Sequence, residues 1–227
     1  MIELWELKGR NDLRYSLFSW RTRMALMHKG LEFATNPVFL SDKASIAFSG
    51  GTTVPVIRDG GTVIRDSWKI SEYLEKKIPG EKFLFGGAIG LGVTQAFNIW
   101  ADRAVVPAML QVIVADIHGR IDPADDAYFR GTFEKFLGKR LEEARAARPE
   151  AQKRLERTLE PLQAALKRQP YVCGAAPAYA DYILFSVFQW ARLTSPQDTL
   201  AADSPLAAWR DRLLDLHGGF ARGMAAA

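Results

Sequence analysis

Three short stretches of the chain hold residue types that could do chemistry together. Tyr15, Ser16 and Ser19 bring three hydroxyls to a loop and to the start of a helical run. A hydroxyl backed by helix N-terminal amides can hold an anion such as a thiolate, whose parent thiol titrates near ~8.5 in water. Val54-Pro55 stands just ahead of a β-rich run, where proline forfeits a ladder hydrogen bond. A cis peptide there would free the Val54 N–H and C=O to pair with a peptide-like ligand. Asp66-Ser67 falls at a strand-to-helix junction, where a hydroxyl and first-turn amides suit a carboxylate and the acid suits an ammonium. That pair would fit the zwitterionic end of an amino acid. Each stretch also has a plain structural reading: a trans X-Pro bond at a strand start, and serines that only cap their helices.

The elements that must position these residues divide the chain in two. Ile2–Leu7 reads as a strand, a polar loop follows, and the spacing of Trp20, Met24 and Met27 predicts a helix over 19–29 that Gly30 stops. Residues 32–38 read as a second strand, at a sheet edge because of Pro37. Two β-rich runs, 54–58 and 62–65, flank Asp59-Gly60-Gly61, a hairpin signal. Ser67 then reads as the cap of a helix that buries Ile70, Leu74 and Ile78 and ends at Pro79-Gly80. This order, β-α-β then hairpin-α, predicts a mixed sheet with helices against it over residues 1–80. The glycine-rich stretch 81–92 reads as a linker. Beyond it the periodicity is helical throughout, over 94–118, 124–147, 149–168, 181–193 and 206–216, with Pro107 kinking the first run. The expected architecture is an α/β domain followed by an all-α domain over 93–227.

Bulk properties narrow the function classes. A single cysteine, Cys173, excludes an internal disulfide and any Cys-x-x-Cys motif, and three scattered histidines make a metal centre unexpected. A net charge of +4 favours anionic ligands but is too small to imply nucleic acid. The N-terminus lacks the apolar core of a signal peptide, and the apolar stretch 104–115 is too short to span a bilayer. The cytoplasm is the expected location, with no membrane partner.

The three stretches, in this order and spacing, resemble the glutathione site of thioredoxin-like transferases, and the likeness extends over nearly the whole chain. Residues 16–26 (Ser-Leu-Phe-Ser-Trp-Arg-Thr-Arg-Met-Ala-Leu) with His28-Lys29-Gly30, Thr53-Val54-Pro55-Val56-Ile57, and the run from Asp66 through Leu74 are similar to bacterial glutathione-dependent β-etherases and their fungal relatives in the glutathione S-transferase superfamily. Asp116-Ile117-His118, Asp122-Pro123, Phe136-Leu137-Gly138 and Thr158-Leu159-Glu160-Pro161-Leu162 continue the match. The resemblance implies a thioredoxin-like N-terminal domain, glutathione as co-substrate without a metal, and a homodimer. It assigns Ser16 to the glutathione sulfur, Val54-Pro55 to the cysteinyl amide, and Asp66 and Ser67 to the γ-glutamyl end. The implied activity is attack of glutathione thiolate on a hydrophobic, aromatic electrophile, β-aryl ethers included. A non-catalytic glutathione-binding or interaction protein of the same fold, or a glutathione-dependent isomerase or dehalogenase, are the alternatives. Phe18, Trp100, Arg103 and Met109 are the candidates for the acceptor pocket.

Two departures from the resemblance stand out. Leu17 follows Ser16 where the etherases carry proline, and Ala178 stands where a hydroxyl usually completes the helix cap with Asp181. Other signals read as structure. The stretch 86–92 lacks a lysine and a preceding strand for nucleotide binding, the charges of 139–168 alternate as on a solvated helix, and Cys173 reads as a buried thiol. Asp116 and His118, two residues apart on a helix, point to different faces.

Overall fold

The computed structural model describes residues 1–80, 82–224 and 226–227. Its first half holds a four-stranded sheet in the order β2-β1-β3-β4, from β1 (Ile2–Leu7), β2 (Phe33–Val38), β3 (Val56–Asp59) and β4 (Thr62–Arg65). β1 pairs parallel with β2 and antiparallel with β3, and β3 pairs antiparallel with β4. Pro37 lies on the edge strand β2, as its missing N–H requires. Gly60, at φ 57°, turns the β3–β4 hairpin. Helix α1 (Leu17–His28) makes the crossover between the parallel strands, and α2 (Ser67–Lys77) follows the hairpin. Ile2, Leu4, Ile57, Trp20, Met24, Ile70 and Leu74 form the core between the sheet and these helices.

The second half is helical: α3 (Ala88–Trp100), α4 (Val106–Arg120), α5 (Asp126–Leu137), α6 (Leu141–Ala146), α7 (Arg148–Leu166), α8 (Tyr179–Thr194) and α9 (Pro205–Gly219). α8 is the central element, with residues 179–191 buried without interruption and its few polar side chains, Asp181, Ser186 and Gln189, buried with the rest. The stretch read as a linker is helical from Ala88 on, and its residue Glu81 lies outside the described residues. Gly90 serves close packing there rather than flexibility: a Cβ on it would come within 1.8 Å of the Phe85 carbonyl oxygen.

Pro107 does not kink the long helix. A five-residue π-turn, Ala101–Val105, precedes it, and Pro107 falls in the first turn of α4, where a missing N–H costs least. Ala88–Arg120 is therefore one continuous helix, long and apolar enough to cross a membrane by length and composition alone. The apolar length expected from 104–115 was too short because the turns on either side join it. The run 124–147 is not one helix but α5 and α6, separated by Gly138 at φ 66°.

Buried polar contacts join the halves. Arg21 of α1, 1% exposed, donates to Asn98 (2.9 Å), Asp102 (2.7 Å) and Ser186 (3.3 Å). Asp125, fully buried in a 3₁₀ turn before α5, accepts from the Leu40 amide (2.9 Å) and from the Ser41 amide (2.8 Å) and hydroxyl (2.5 Å). At the end of α1, His28 Nδ1 lies 2.6 Å from the Tyr182 hydroxyl.

Burial, then the charges of Lys29 and His217, hold the His28 pKa below its ordinary value. His217 is lowered likewise by burial and by Lys82. The folded state thus binds fewer protons than the unfolded chain below the free-histidine pKa, near ~6.5, so stability is full above that value and falls as pH drops through it. Denaturant unfolding at pH 7.5 and 5.5 should show lower stability at 5.5, and His28→Gln should flatten the difference. An unchanged slope in that variant would clear His28 of the effect.

Candidate functional site

A cavity of about 500 Å³ opens between the halves. Its N-terminal wall carries Tyr15, Ser16, Phe18, Val54, Pro55, Asp66 and Ser67, so residues spread over more than fifty positions of sequence meet on one surface. Ser16 is the N-cap of α1, whose first residue Leu17 lies two residues before the helix start that the periodicity predicts, and the Ser16 Oγ accepts from the Ser19 amide at 3.3 Å. An acceptor role leaves its hydroxyl proton to be donated. The side chain is 7% exposed and lines the cavity, whereas Ser19 is buried and does not line it. Tyr15 also lines the cavity, but its hydroxyl is buried without a partner among the described residues. Burial, and then the Asp125 charge, push its pKa well above 10, so it stays protonated.

The Val54-Pro55 peptide is cis. The Pro55 carbonyl accepts from the Asp66 amide at 3.2 Å, which ties this turn to the start of α2. There the cap is Asp66, not Ser67: Asp66 Oδ1 accepts from the amides of Trp68 (3.0 Å) and Lys69 (3.1 Å), and Ser67 is the first helical residue. Aspartate and serine cap equally well, so residue type alone could not phase this helix. Asp66 sits at φ 76°, a left-handed conformation uncommon outside glycine, which carries strain of the kind that gathers at functional sites. Both amide bonds fall on Oδ1, and among the described residues no side chain pairs with Oδ2.

Ser67 is held from the other half of the molecule. The buried Tyr179 hydroxyl, at the start of α8, donates to the Ser67 carbonyl at 2.8 Å. Burial raises the Tyr179 pKa to about 12, which keeps that donor in place. No local signal could have revealed a contact 112 residues apart.

The opposite wall is apolar: Val106, Leu110 and Ile117 of α4, Phe129 and Phe133 of α5, and Trp190 of α8. Of the expected acceptor-pocket residues only Phe18 lines the cavity. Trp100 packs on Phe97 (ring centroids 5.3 Å apart), Arg103 is exposed, and Met109 is in the core. Arg103 lies inside the π-turn, where the i, i+3, i+4 spacing of a regular α-helix no longer assigns residues to a common face with Val106 and Leu110. Met109 follows one residue before Leu110 and so faces the bundle. Phe129 and Phe133 are four apart on one helix, a spacing that could have marked them. Leu40, Asp42 and Lys43, on the loop that Asp125 holds, complete the rim.

Other expectations resolve locally. Cys173 is exposed, because a tight Tyr171–Gly174 bridge turns it outward. Asp116 pairs with Arg148 and Ser195, and His118 with Asp126, so the two face different partners. Among the described residues, no three His, Cys, Asp or Glu side chains gather as a metal site.

Comparisons with known proteins agree with this arrangement. Residues 15–77 match the model of the glutathione S-transferase N-terminal domain, and residues 92–220 that of the C-terminal domain. Among solved structures, glutathione transferase GSTFuA3 from Phanerochaete chrysosporium is similar at 26% identity and a TM-score of 0.77, over 98% of this chain and 94% of that one. A glutathione S-transferase of Ceriporiopsis subvermispora, solved in complex with glutathione, shares the fold at 24% identity and a TM-score of 0.77, with the same coverage. So does the theta-class enzyme of Xanthomonas axonopodis pv. citri with glutathione bound, at 20% identity and a TM-score of 0.70, over 100% of this chain and 98% of that one. With a thioredoxin-like half, a helical half and both domain models matched, the chain belongs to the glutathione S-transferase family.

Proposed function

We propose that the protein uses glutathione thiolate to attack a hydrophobic, aromatic electrophile held in the cavity between its halves. The observation that carries this reading is a cavity with two unlike walls. One wall offers the Ser16 hydroxyl, the Val54 backbone, Asp66 and the Ser67 helix start; the other is built from Phe129, Phe133, Trp190 and aliphatic side chains. Glutathione would lie across the first wall, which residues 1–80 contribute, with its γ-glutamyl end at Asp66 and Ser67, its cysteinyl amide at Val54 and its sulfur at Ser16. Two structures of similar fold hold glutathione. The helical half, residues 93–227, joined through 81–92, would hold the acceptor.

The thiolate is the reacting species, so donors that stabilise it raise the reactive fraction at neutral pH. In the β-aryl ether version, the sulfur forms a C–S bond as the C–O bond breaks. The electron pair leaves with the aryloxide, which takes a proton from water, and the product is a thioether. A second copy of the chain is the proposed partner: Ile89 and Val93, one helical turn apart on α3, are 86% and 66% exposed in the isolated chain.

Retention on immobilised glutathione, followed by assays with a β-aryl ether, chlorodinitrobenzene and a maleyl substrate, tests the reading. Retention with turnover of an aromatic electrophile is expected. Retention without turnover of any of them would make the protein a binding module, and no retention would remove glutathione from the account.

A further inference from the structure

Beneath the loop that carries Ser16 lies a cluster of charges that neither glutathione nor the acceptor would touch. Glu6 of β1, 1% exposed, accepts from Arg14 Nη1 (3.0 Å), from Arg23 Nε (2.8 Å) and from Arg23 Nη2. Arg14 and Arg23 are themselves buried. Arg14 also donates to Asp12, through Nε to Oδ1 (3.1 Å) and Nη2 to Oδ2 (2.9 Å), and to the Thr35 hydroxyl (3.3 Å). Its backbone carbonyl accepts from Trp20 Nε1 at 2.9 Å. Arg23 lies over the Trp20 ring at 5.2 Å and the Phe220 ring at 5.5 Å. Both the side chain and the backbone of Arg14 are thus pinned, two residues before Ser16, to β1, β2 and α1 at once.

Stability alone gives such a cluster little reason to exist, because burying charges costs several kcal/mol and apolar replacements of similar shape often do as well. What the cluster does supply is a fixed direction for the chain. Asn11 and Asp12 hold left-handed backbone conformations, φ 53° and 59°, which persist only where their surroundings over-determine them. Ser16 caps α1 through one long bond of 3.3 Å, and Leu17 at the first helical position has no ring to fix its φ. The aim of the Ser16 hydroxyl has to be set from the loop behind it.

We propose that Glu6, Arg14 and Arg23 are the positioning residues of Ser16, an inference that rests on the proposed role of Ser16 toward the glutathione sulfur. Glu6 is the hub, since among the described residues it alone joins the loop arginine to the helix arginine. Proline at position 17 would supply part of the same constraint by another route, because Ser16 already has the extended backbone (φ −65°, ψ 117°) that a following proline demands.

The test is the ultraviolet titration of thiolate in bound glutathione, with kcat and KM alongside, for the wild type, Ser16→Ala, Glu6→Gln, Arg14→Met and the double variant Glu6→Gln/Leu17→Pro. Glu6→Gln and Arg14→Met should each raise the bound thiol's pKa by about one unit, cutting the thiolate fraction at neutral pH about three- to tenfold and lowering kcat in proportion. KM for glutathione should move far less, and Leu17→Pro should return part of the loss. Arg14→Lys, which keeps the charge, serves if Arg14→Met does not fold. If Ser16→Ala shifts the titration but the Glu6 and Arg14 variants lose only thermal stability, the cluster is structural and the inference is overturned. If Ser16→Ala leaves the titration where it was, the role of Ser16 falls first and the inference falls with it.

Discussion

Ser16→Ala is expected to raise the pKa of the bound glutathione thiol by one to two units and to lower turnover at neutral pH by about 10²-fold, the usual loss on removing one aimed donor from a developing or resident anion. The argument runs through burial. Ser16 is 7% exposed and faces a cavity whose far wall is apolar, so water is a poor substitute for the lost hydroxyl. The first-turn amides of α1 remain in the variant and keep part of the stabilisation, so activity should fall without vanishing. Affinity for glutathione should change much less, because the contacts proposed at Val54 and Asp66–Ser67 are untouched. A titration of bound thiolate absorbance decides the matter, and a variant with unaltered pKa and turnover would mean that another group holds the sulfur.

Asp181→Ala should cost about 3–5 kcal/mol. The carboxylate is fully buried and accepts four hydrogen bonds: from the amides of Val172 (2.7 Å), Cys173 (3.1 Å) and Ala178 (3.2 Å) and from Trp209 Nε1 (2.8 Å). Alanine would leave four donors without an acceptor at the junction of α8, α9 and the preceding turn. A fall in melting temperature of about 10 °C follows for a chain of this size, with Asp181→Asn falling less because one acceptor oxygen remains. A fall of only a degree or two would mean that water replaces the carboxylate. Ala178 brings no side-chain acceptor to the cap, so the aspartate carries this helix start by itself.

The sheet was legible because its signals are local. Asp59-Gly60 marks its own turn, Pro37 marks its own edge, and short β-rich runs of four to six residues need no distant partner to be recognised. Ser16, Val54 and Asp66–Ser67 could be grouped from resemblance, and they do share a cavity. What local reading missed depends on phase and on distance. The turn at 101–105 breaks the regular helical spacing on which the grouping of Arg103 with the cavity wall relied, and nothing in Ala-Asp-Arg-Ala-Val announces a π-turn. Asp66 and Ser67 are both good caps, so only backbone geometry tells which one performs the task. Tyr179 on Ser67 and Asp125 on Leu40 and Ser41 are long-range contacts, and no window along the chain contains both partners.

The Asp125 contact bears on how such chains can be recombined. The two halves match separate domain models, which invites exchange of one half between relatives as if they were interchangeable cassettes. Yet the amides of Leu40 and Ser41 have their acceptor in the other cassette, and so does the guanidinium of Arg21. A chimera that swaps the helical part without a carboxylate at 125 would strand two backbone donors and the Ser41 hydroxyl on the rim of its own cavity. The exchangeable unit is the first half together with the acceptors that close it.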